Sequence, residues 1–261
     1  MLSKCKNCPA EEGLFDKLKE LDLFKNVVWS DDESQDDDED LVMFKMWGAI
    51  NGRCALLDRQ LSKADFMRYL VNELYNALRH QHVSQTQSAF VNELKASIPD
   101  GHVIIHMDFA ENFAFCVQDS IQGFYWDNSQ VTVHPVVVYC RRTPQFETEC
   151  MPFVIISDTL KHDNGTVHYC QMKIIEWLKS HNIQPDYCHY ITDGAGSQYK
   201  NRKAFLNLAL HEKDFGFSAE LQNFATSHGK GACDGVGGAV KRSARKASLH
   251  GVVIRNPKEF Y

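Results

Sequence analysis

His102-Val103-Ile104-Ile105-His106-Met107-Asp108-Phe109 is the stretch on which the fold turns. It is apolar almost throughout and ends on a carboxylate, the pattern of a strand buried on both faces. Just before it, Ile98-Pro99-Asp100-Gly101 combines Pro with Asp-Gly, a strong turn signal that ends whatever precedes. Downstream the pattern predicts strands over 112–118, 131–141 and 150–157, the last two separated by Arg141-Arg142-Thr143-Pro144. A helix follows over 166–180, where Val167, Cys170, Ile174, Ile175 and Leu178 share one face. Then come a strand over 185–192, a helix over 201–210, a strand over 219–226 and a last helix to about residue 247. An antiparallel meander followed by βα alternation predicts an α/β domain with a mixed sheet flanked by helices. That chain order is the order of the RNase H-like fold, expected here over residues 100–250, with 251–261 as a C-terminal tail.

Working back towards the N-terminus, residues 41–99 read as a helical lead-in. Ser62-Lys63-Ala64-Asp65 offers an N-cap, Phe66, Tyr69, Leu70, Leu74, Ala77 and Leu78 make one apolar face, and a second helix is expected over 85–96. Residues 31–40 hold eight Asp or Glu, which predicts a solvated, disordered loop. Residues 1–30 carry Cys5-x-x-Cys8 and a short amphipathic stretch. Cys5 and Cys8 are half of a zinc site's ligand set, with His80 and His82 as candidate partners for a Zn²⁺ ion.

The chain has 261 residues and a formal net charge of −6, but the acidic run alone accounts for more than that, and the remainder carries +2. Residues 200–261 hold eleven Lys or Arg against five Asp or Glu, so this part can face a polyanion. No apolar run approaches the ~18–20 residues of a membrane span. The N-terminus lacks the apolar core of a signal peptide. Nine cysteines, an odd number scattered through strand-like segments, fit reduced thiols better than a disulfide framework. An intracellular protein, nuclear or cytoplasmic and not membrane-bound, is the expectation.

Three carboxylates stand where chemistry is usually placed. Asp108 ends the first strand of the meander, Asp193 ends the first strand after it, and Asp234 opens the final helix. Each has an ordinary alternative, as a turn residue or a helix cap. Together they sit at spacings of 85 and 41 residues, at positions that two-metal phosphoryl transfer requires to converge on one sheet edge. Magnesium prefers oxygen ligands, chiefly carboxylates and phosphate.

The segments 106–112 (His-Met-Asp-Phe-Ala-Glu-Asn), 191–201 (Ile-Thr-Asp-Gly-Ala-Gly-Ser-Gln-Tyr-Lys-Asn) and 225–235 (Ala-Thr-Ser-His-Gly-Lys-Gly-Ala-Cys-Asp-Gly) resemble transposase-like proteins of eukaryotic DNA transposons, the DDE/DDD group. The resemblance covers residues 100–248 and, less closely, the lead-in, so the chain resembles a catalytic-core fragment. It implies an RNase H-like core that cuts and joins DNA, with Asp108, Asp193 and Asp234 as catalytic ligands of two Mg²⁺ or Mn²⁺ ions. It also implies DNA and further copies of the chain as partners. Asp234 departs from the commoner Glu and lies close to its helix start; Glu212 and Glu220 are the fallback ligands. A related nuclease without strand transfer, and a domesticated or decayed product that only binds nucleic acid or protein, are the alternatives.

Contacts to DNA are expected from two places. His228 and Lys230 lie in the Gly-rich loop before the last helix, where backbone N–H groups can meet an anion. Lys241, Arg242, Arg245 and Lys246 fall on one side of that helix, suited to phosphates. Asn112, Gln198, Tyr199, Lys200 and Asn201 flank the carboxylates in sequence.

Overall fold

A computed structural model of the chain describes residues 11–22, 24, 41–115, 129–142, 147–225 and 231–261. The chain divides into two units, Met1–Val83 and Ser84–Tyr261. In the first, helix α1 (Glu11–Lys19) is followed by strands β1 (Leu41–Ile50) and β2 (Arg53–Ser62), and then by the start of helix α2 (Lys63–Ala96).

The hairpin corrects the expectation of a wholly helical lead-in over 41–99. β1 and β2 pair antiparallel from Leu41↔Ser62 to Ile50↔Arg53, leaving Asn51-Gly52 as a two-residue turn. Both turn residues have positive φ, 51° and 75°, the conformation that Asn-Gly adopts most readily and whose twist suits a hairpin. Along β1, exposed and half-buried residues alternate with the period of a strand. Phe44 turns inward and meets Phe66 and Tyr69 of α2, at ring separations of 4.9 and 5.4 Å. The small core of this unit is Leu14, Phe24, Met67 and Val71. Ser62 is the cap expected for α2, its Oγ accepting from Asp65 N at 3.1 Å. The two expected helices are one continuous helix, and the boundary between the units falls within it.

The second unit is the mixed α/β layer structure that the sequence predicts. Strands β3 (His102–Met107), β4 (Phe113–Ala114), β5 (Gln130–Cys140) and β6 (Glu149–Ser157) come first. Helix α3 (Asn164–Ser180), strand β7 (Tyr187–Thr192), helices α4 (Arg202–Ala209) and α5 (His211–Phe215), and strand β8 (Ser218–Asn223) follow. Helix α6 (Ala232–Leu249) and a terminal turn of helix, α7 (Pro257–Phe260), complete the described elements. Of the strand expected over 112–118, Phe113–Ala114 is present, and 116–118 lie outside the described residues.

β5 pairs antiparallel with β6 on one edge and with β3 on the other. β4 continues along the same edge of β5 beyond β3. β3 pairs parallel with β7, and β7 parallel with β8. The order across the sheet is therefore β6-β5-β3-β7-β8, antiparallel on one side of β3 and parallel on the other. β3 sits at the centre, which explains its unbroken apolar run: Val103, Ile105 and Met107 join the core beneath α3, while Ile104 packs with Val91 and Ile98 on the opposite face. α6 covers that second face beside β5, with Ala244 against Val131 and Val133. Gly237 permits this approach, because a Cβ there would stand 2.9 Å from Pro135 Cγ and 3.2 Å from Ala110 Cβ. Among the described residues no helix is long and apolar enough to cross a membrane.

Candidate active site

The parallel pairing of β3 with β7 brings Asp108 and Asp193 together. Their last paired residues are His106↔Ile191, and two further steps along both chains put Asp108 across from Asp193. Neighbouring strands lie about 4.8 Å apart. Both carboxylates are half-buried. The ladder loosens at Asp108, where β3 ends, but two hydrogen bonds hold the chain to β5: Asp108 N to Pro135 O at 3.3 Å and Ala110 N to Val133 O at 3.0 Å.

Asp193 is fixed by its own turn. Its Oδ1 accepts from Ala195 N at 3.0 Å. Thr192 Oγ1 accepts from Gly194 N and donates to Asn223 Oδ1, at 3.2 and 2.7 Å. Gly194 has φ of 76°, and a Cβ there would lie 2.8–2.9 Å from Lys200 Cε and Nζ and from Asn223 Cβ. Only glycine satisfies both constraints without strain.

The electrostatics match this geometry. The Asp108 carboxyl is pushed up to about 7, first by burial, then by the Asp193 charge, with a lesser push from Asp234 and an opposing hydrogen bond from the Phe109 backbone. Two neighbouring carboxylates in a half-buried site cannot both ionise cheaply without a proton or a cation to offset their charge. Carboxylate oxygens are the hard donors that Mg²⁺ and Mn²⁺ prefer.

Asp234 is placed differently. It is exposed, in the first turn of α6, and its Oδ2 accepts from Gly231 N at 2.8 Å, so it caps its own helix. Among the described residues no three His, Cys, Asp or Glu side chains converge to hold a metal ion. The start of α6 is nevertheless anchored beside the pair. Cys233 Sγ donates to His106 O at 3.2 Å, and the His106 ring fills the space a Cβ on Gly231 would take, 2.7 Å from its Cε1.

The fallback acids lie elsewhere. Glu220 is paired in register with His189, four residues before Asp193, and accepts from its Nδ1 at 2.7 Å. Glu212 accepts from Ser218 Oγ at 2.9 Å, by the first residue of β8 and so at the far end of the parallel strands. Neither reaches the Asp108–Asp193 end.

On α6, Arg242, Arg245 and Lys246 are exposed, opposite buried Ala244 and Ser248. Lys241 is half-buried and donates from Nζ to Glu111 O at 2.9 Å, tying α6 to the segment after Asp108. Of the flanking residues, Asn201 caps α4 by accepting from Ala204 N, and Gln198 O accepts from Asn164 Nδ2. Asn112 Oδ1 accepts from Thr132 Oγ1. Tyr199 is buried in the core, and its hydroxyl has no hydrogen-bond partner among the described residues. His228, Lys230, Cys5 and Cys8 lie outside the described residues, as does the acidic run.

The structure adds neighbours that sequence gave no reason to group. Phe109, next to Asp108, stacks on His162 at 4.4 Å and meets His134 edge-on at 4.3 Å. Burial holds His134 neutral, its pKa pushed down to about 3. His106 is likewise neutral, pushed down to about 4 by burial and by Lys95. These residues come from three segments with no common spacing, so only the fold reveals them.

The second unit is thus a mixed α/β domain with an acidic pair at the carboxyl ends of two adjacent parallel strands. The chain belongs to the family described as Domain of unknown function (DUF8701), whose model matches residues 87–261, close to the whole of this unit. No curated protein matches the chain, and no solved structure does.

Proposed function

We propose that the second unit is an RNase H-like phosphoryl-transfer domain of the transposase-like kind, acting on DNA with Mg²⁺ or Mn²⁺. The observation that carries this is the Asp108–Asp193 pair: two carboxylates on neighbouring parallel strands, one of them strongly disfavoured as an anion in the absence of a cation. The chain order, three antiparallel strands and then parallel βα units, supports the RNase H-like assignment. Asp108 and Asp193 would hold the metal, with Asp234 contributing from the α6 terminus once its side chain leaves Gly231 N. Two such ions, when bound, would activate the attacking oxygen and stabilise the leaving one.

The chain's own residues do the rest. Thr192, Gly194 and Ala195 fix the direction of the Asp193 carboxylate, and the hydrogen bonds to β5 hold the backbone at Asp108. Arg242, Arg245 and Lys246 offer cationic groups to a phosphate backbone from the same helix that carries Asp234. Strand cleavage followed by strand transfer is the proposed reaction, with DNA and further copies of the chain as partners.

A second reading, a product that only binds nucleic acid or protein, is favoured by one observation: Asp234 is engaged as a cap. Nicking of supercoiled plasmid DNA by the full chain separates the two. The proposal expects nicking with Mg²⁺ or Mn²⁺, abolished by Asp108→Asn and by Asp193→Asn without loss of folding. Binding without nicking, or undiminished nicking in either variant, would favour the second reading.

A further inference from the structure

A chain of hydrogen bonds crosses the parallel strands at the end away from Asp108 and Asp193. His102 Nδ1 lies 2.8 Å from His189 Nε2, and His189 Nδ1 lies 2.7 Å from Glu220 Oε1. The three residues come from β3, β7 and β8 and are on one face. Tyr187 closes the group: its ring stacks on His102 and meets His189, each at 5.0 Å between ring centres. The same end is tied by the backbone, since Gly101 O accepts from Asp186 N at 2.8 Å and from Tyr187 N at 3.3 Å.

We propose that Glu220, His189 and His102 form an acid-sensitive latch that holds the N-terminal ends of β3, β7 and β8 together and opens on its second protonation. A contact between two imidazole nitrogens needs one proton between them, because one ring must donate and the other accept. With both rings neutral, Glu220 fixes the proton on His189 Nδ1, leaving Nε2 to accept from His102 Nδ1–H. A first added proton leaves the bond intact. One ring then carries two protons and donates, and the other, neutral, keeps a lone pair on its nitrogen in the gap and accepts. A second added proton leaves no lone pair on either ring, and two cations face each other across the gap.

The other charges around the rings do not relieve this. Asp186 and Glu220 are the anions acting on His102, and His189 is the opposing cation when charged. The α2 residues against this face near Ile191 are Gln87, Phe90 and Val91, none ionisable. Lys95 of the same helix is drawn to the Tyr139 ring at 4.3 Å. Burial, then His189, hold the His102 pKa below its ordinary value of 6.5. A depressed histidine costs no stability above its unfolded pKa and loses stability as pH falls through that value. The latch is therefore closed at neutral pH, and stability due to His102 falls as pH drops below about 6.5, ahead of the second protonation that opens the bond.

The test is imidazole ¹⁵N NMR of the full chain between pH 8 and pH 4, with amide protection factors measured in the same range. Two coupled steps are expected for His102 and His189. Across the lower step, protection should fall about tenfold or more at the start of β3 and at Tyr187. His102→Phe keeps the stack on Tyr187 and removes the bond, so its protection there should be lower at pH 8 and flat with pH. Independent single titrations of the two rings, or the same pH-dependent loss of protection in His102→Phe, would overturn the latch.

Discussion

Asp108→Asn removes a half-buried negative charge and keeps the shape of the side chain, so it isolates the electrostatic strain of the acidic pair. In the folded chain the Asp108 carboxyl titrates at about 7, against 3.8 for the ordinary group. A raised acid keeps its proton in the folded state over a range where the unfolded state has lost it. Stability due to this group is therefore full below about 3.8, falls as pH rises, and has been lost once pH passes about 7. At about 1.4 kcal/mol per tenfold the ceiling is about 4 kcal/mol. Because the carboxylate is in part solvent-accessible, roughly 2 kcal/mol is the realistic expectation. The assay is native-state hydrogen exchange of the β3 and β7 amides at pH 5 and pH 8, in chelator, for both proteins. That readout confines the measurement to the second unit. The variant's advantage over the wild type should grow by roughly 1.2 kcal/mol between pH 5 and pH 8, the rest of the effect lying below pH 5. An equal difference at both pH values would refute the idea that Asp108 is held against a neighbouring charge. Adding Mg²⁺ at pH 8 should remove most of the difference, because a cation between the carboxylates replaces the missing proton.

The other expectations follow from single contacts. Gly194→Ala meets both a φ of 76° and neighbours within 2.9 Å, and should cost about 1–3 kcal/mol in urea unfolding. A cost under a few tenths would show that the turn is loose. Asp234→Asn can still accept from Gly231 N, so stability should change by less than about 1 kcal/mol while metal-dependent nicking is lost; unchanged nicking would leave Asp234 a cap alone. Replacing Arg242, Arg245 and Lys246 together with Ala should reduce the slope of log affinity against log salt for duplex DNA by about 2.7, while Lys241→Ala should change it by less than one, because its ammonium already serves Glu111 O. Equal effects of Lys241 and of each exposed cation would contradict that distinction.

Much of the second unit was legible because its central strands, β3, β5 and β7, are buried on both faces. The apolar run of β3 and the β-branched run of β5 need little context, and helical periodicity marked α3 and α6. The Asp108–Asp193 juxtaposition follows once β3 and β7 are parallel neighbours, since each acid is the first residue beyond its strand. The first unit was harder to read. Its hairpin leaves Met43 and Trp47 exposed, so the strands lack a clean apolar-in, polar-out alternation, and the Asn51-Gly52 turn was the signal that could have revealed them. Asp234 shows another limit: a helix start is visible in sequence, but whether its carboxylate faces its own N–H groups or a neighbouring site depends on the packing of α6. Glu220 fails as a fallback ligand for the same kind of reason, because only the β7–β8 register shows that it faces His189.

On the proposed reading, Asp108 and Asp193 together hold a divalent cation. Anomalous diffraction from crystals of the full chain grown with Mn²⁺ tests it most directly. A manganese peak is expected within about 2.2 Å of an oxygen from each carboxylate, and a second peak about 4 Å away when a phosphate is bound. Crystals in saturating Mn²⁺ that show the two carboxylates more than about 8 Å apart, or manganese bound elsewhere and absent from both, would contradict it.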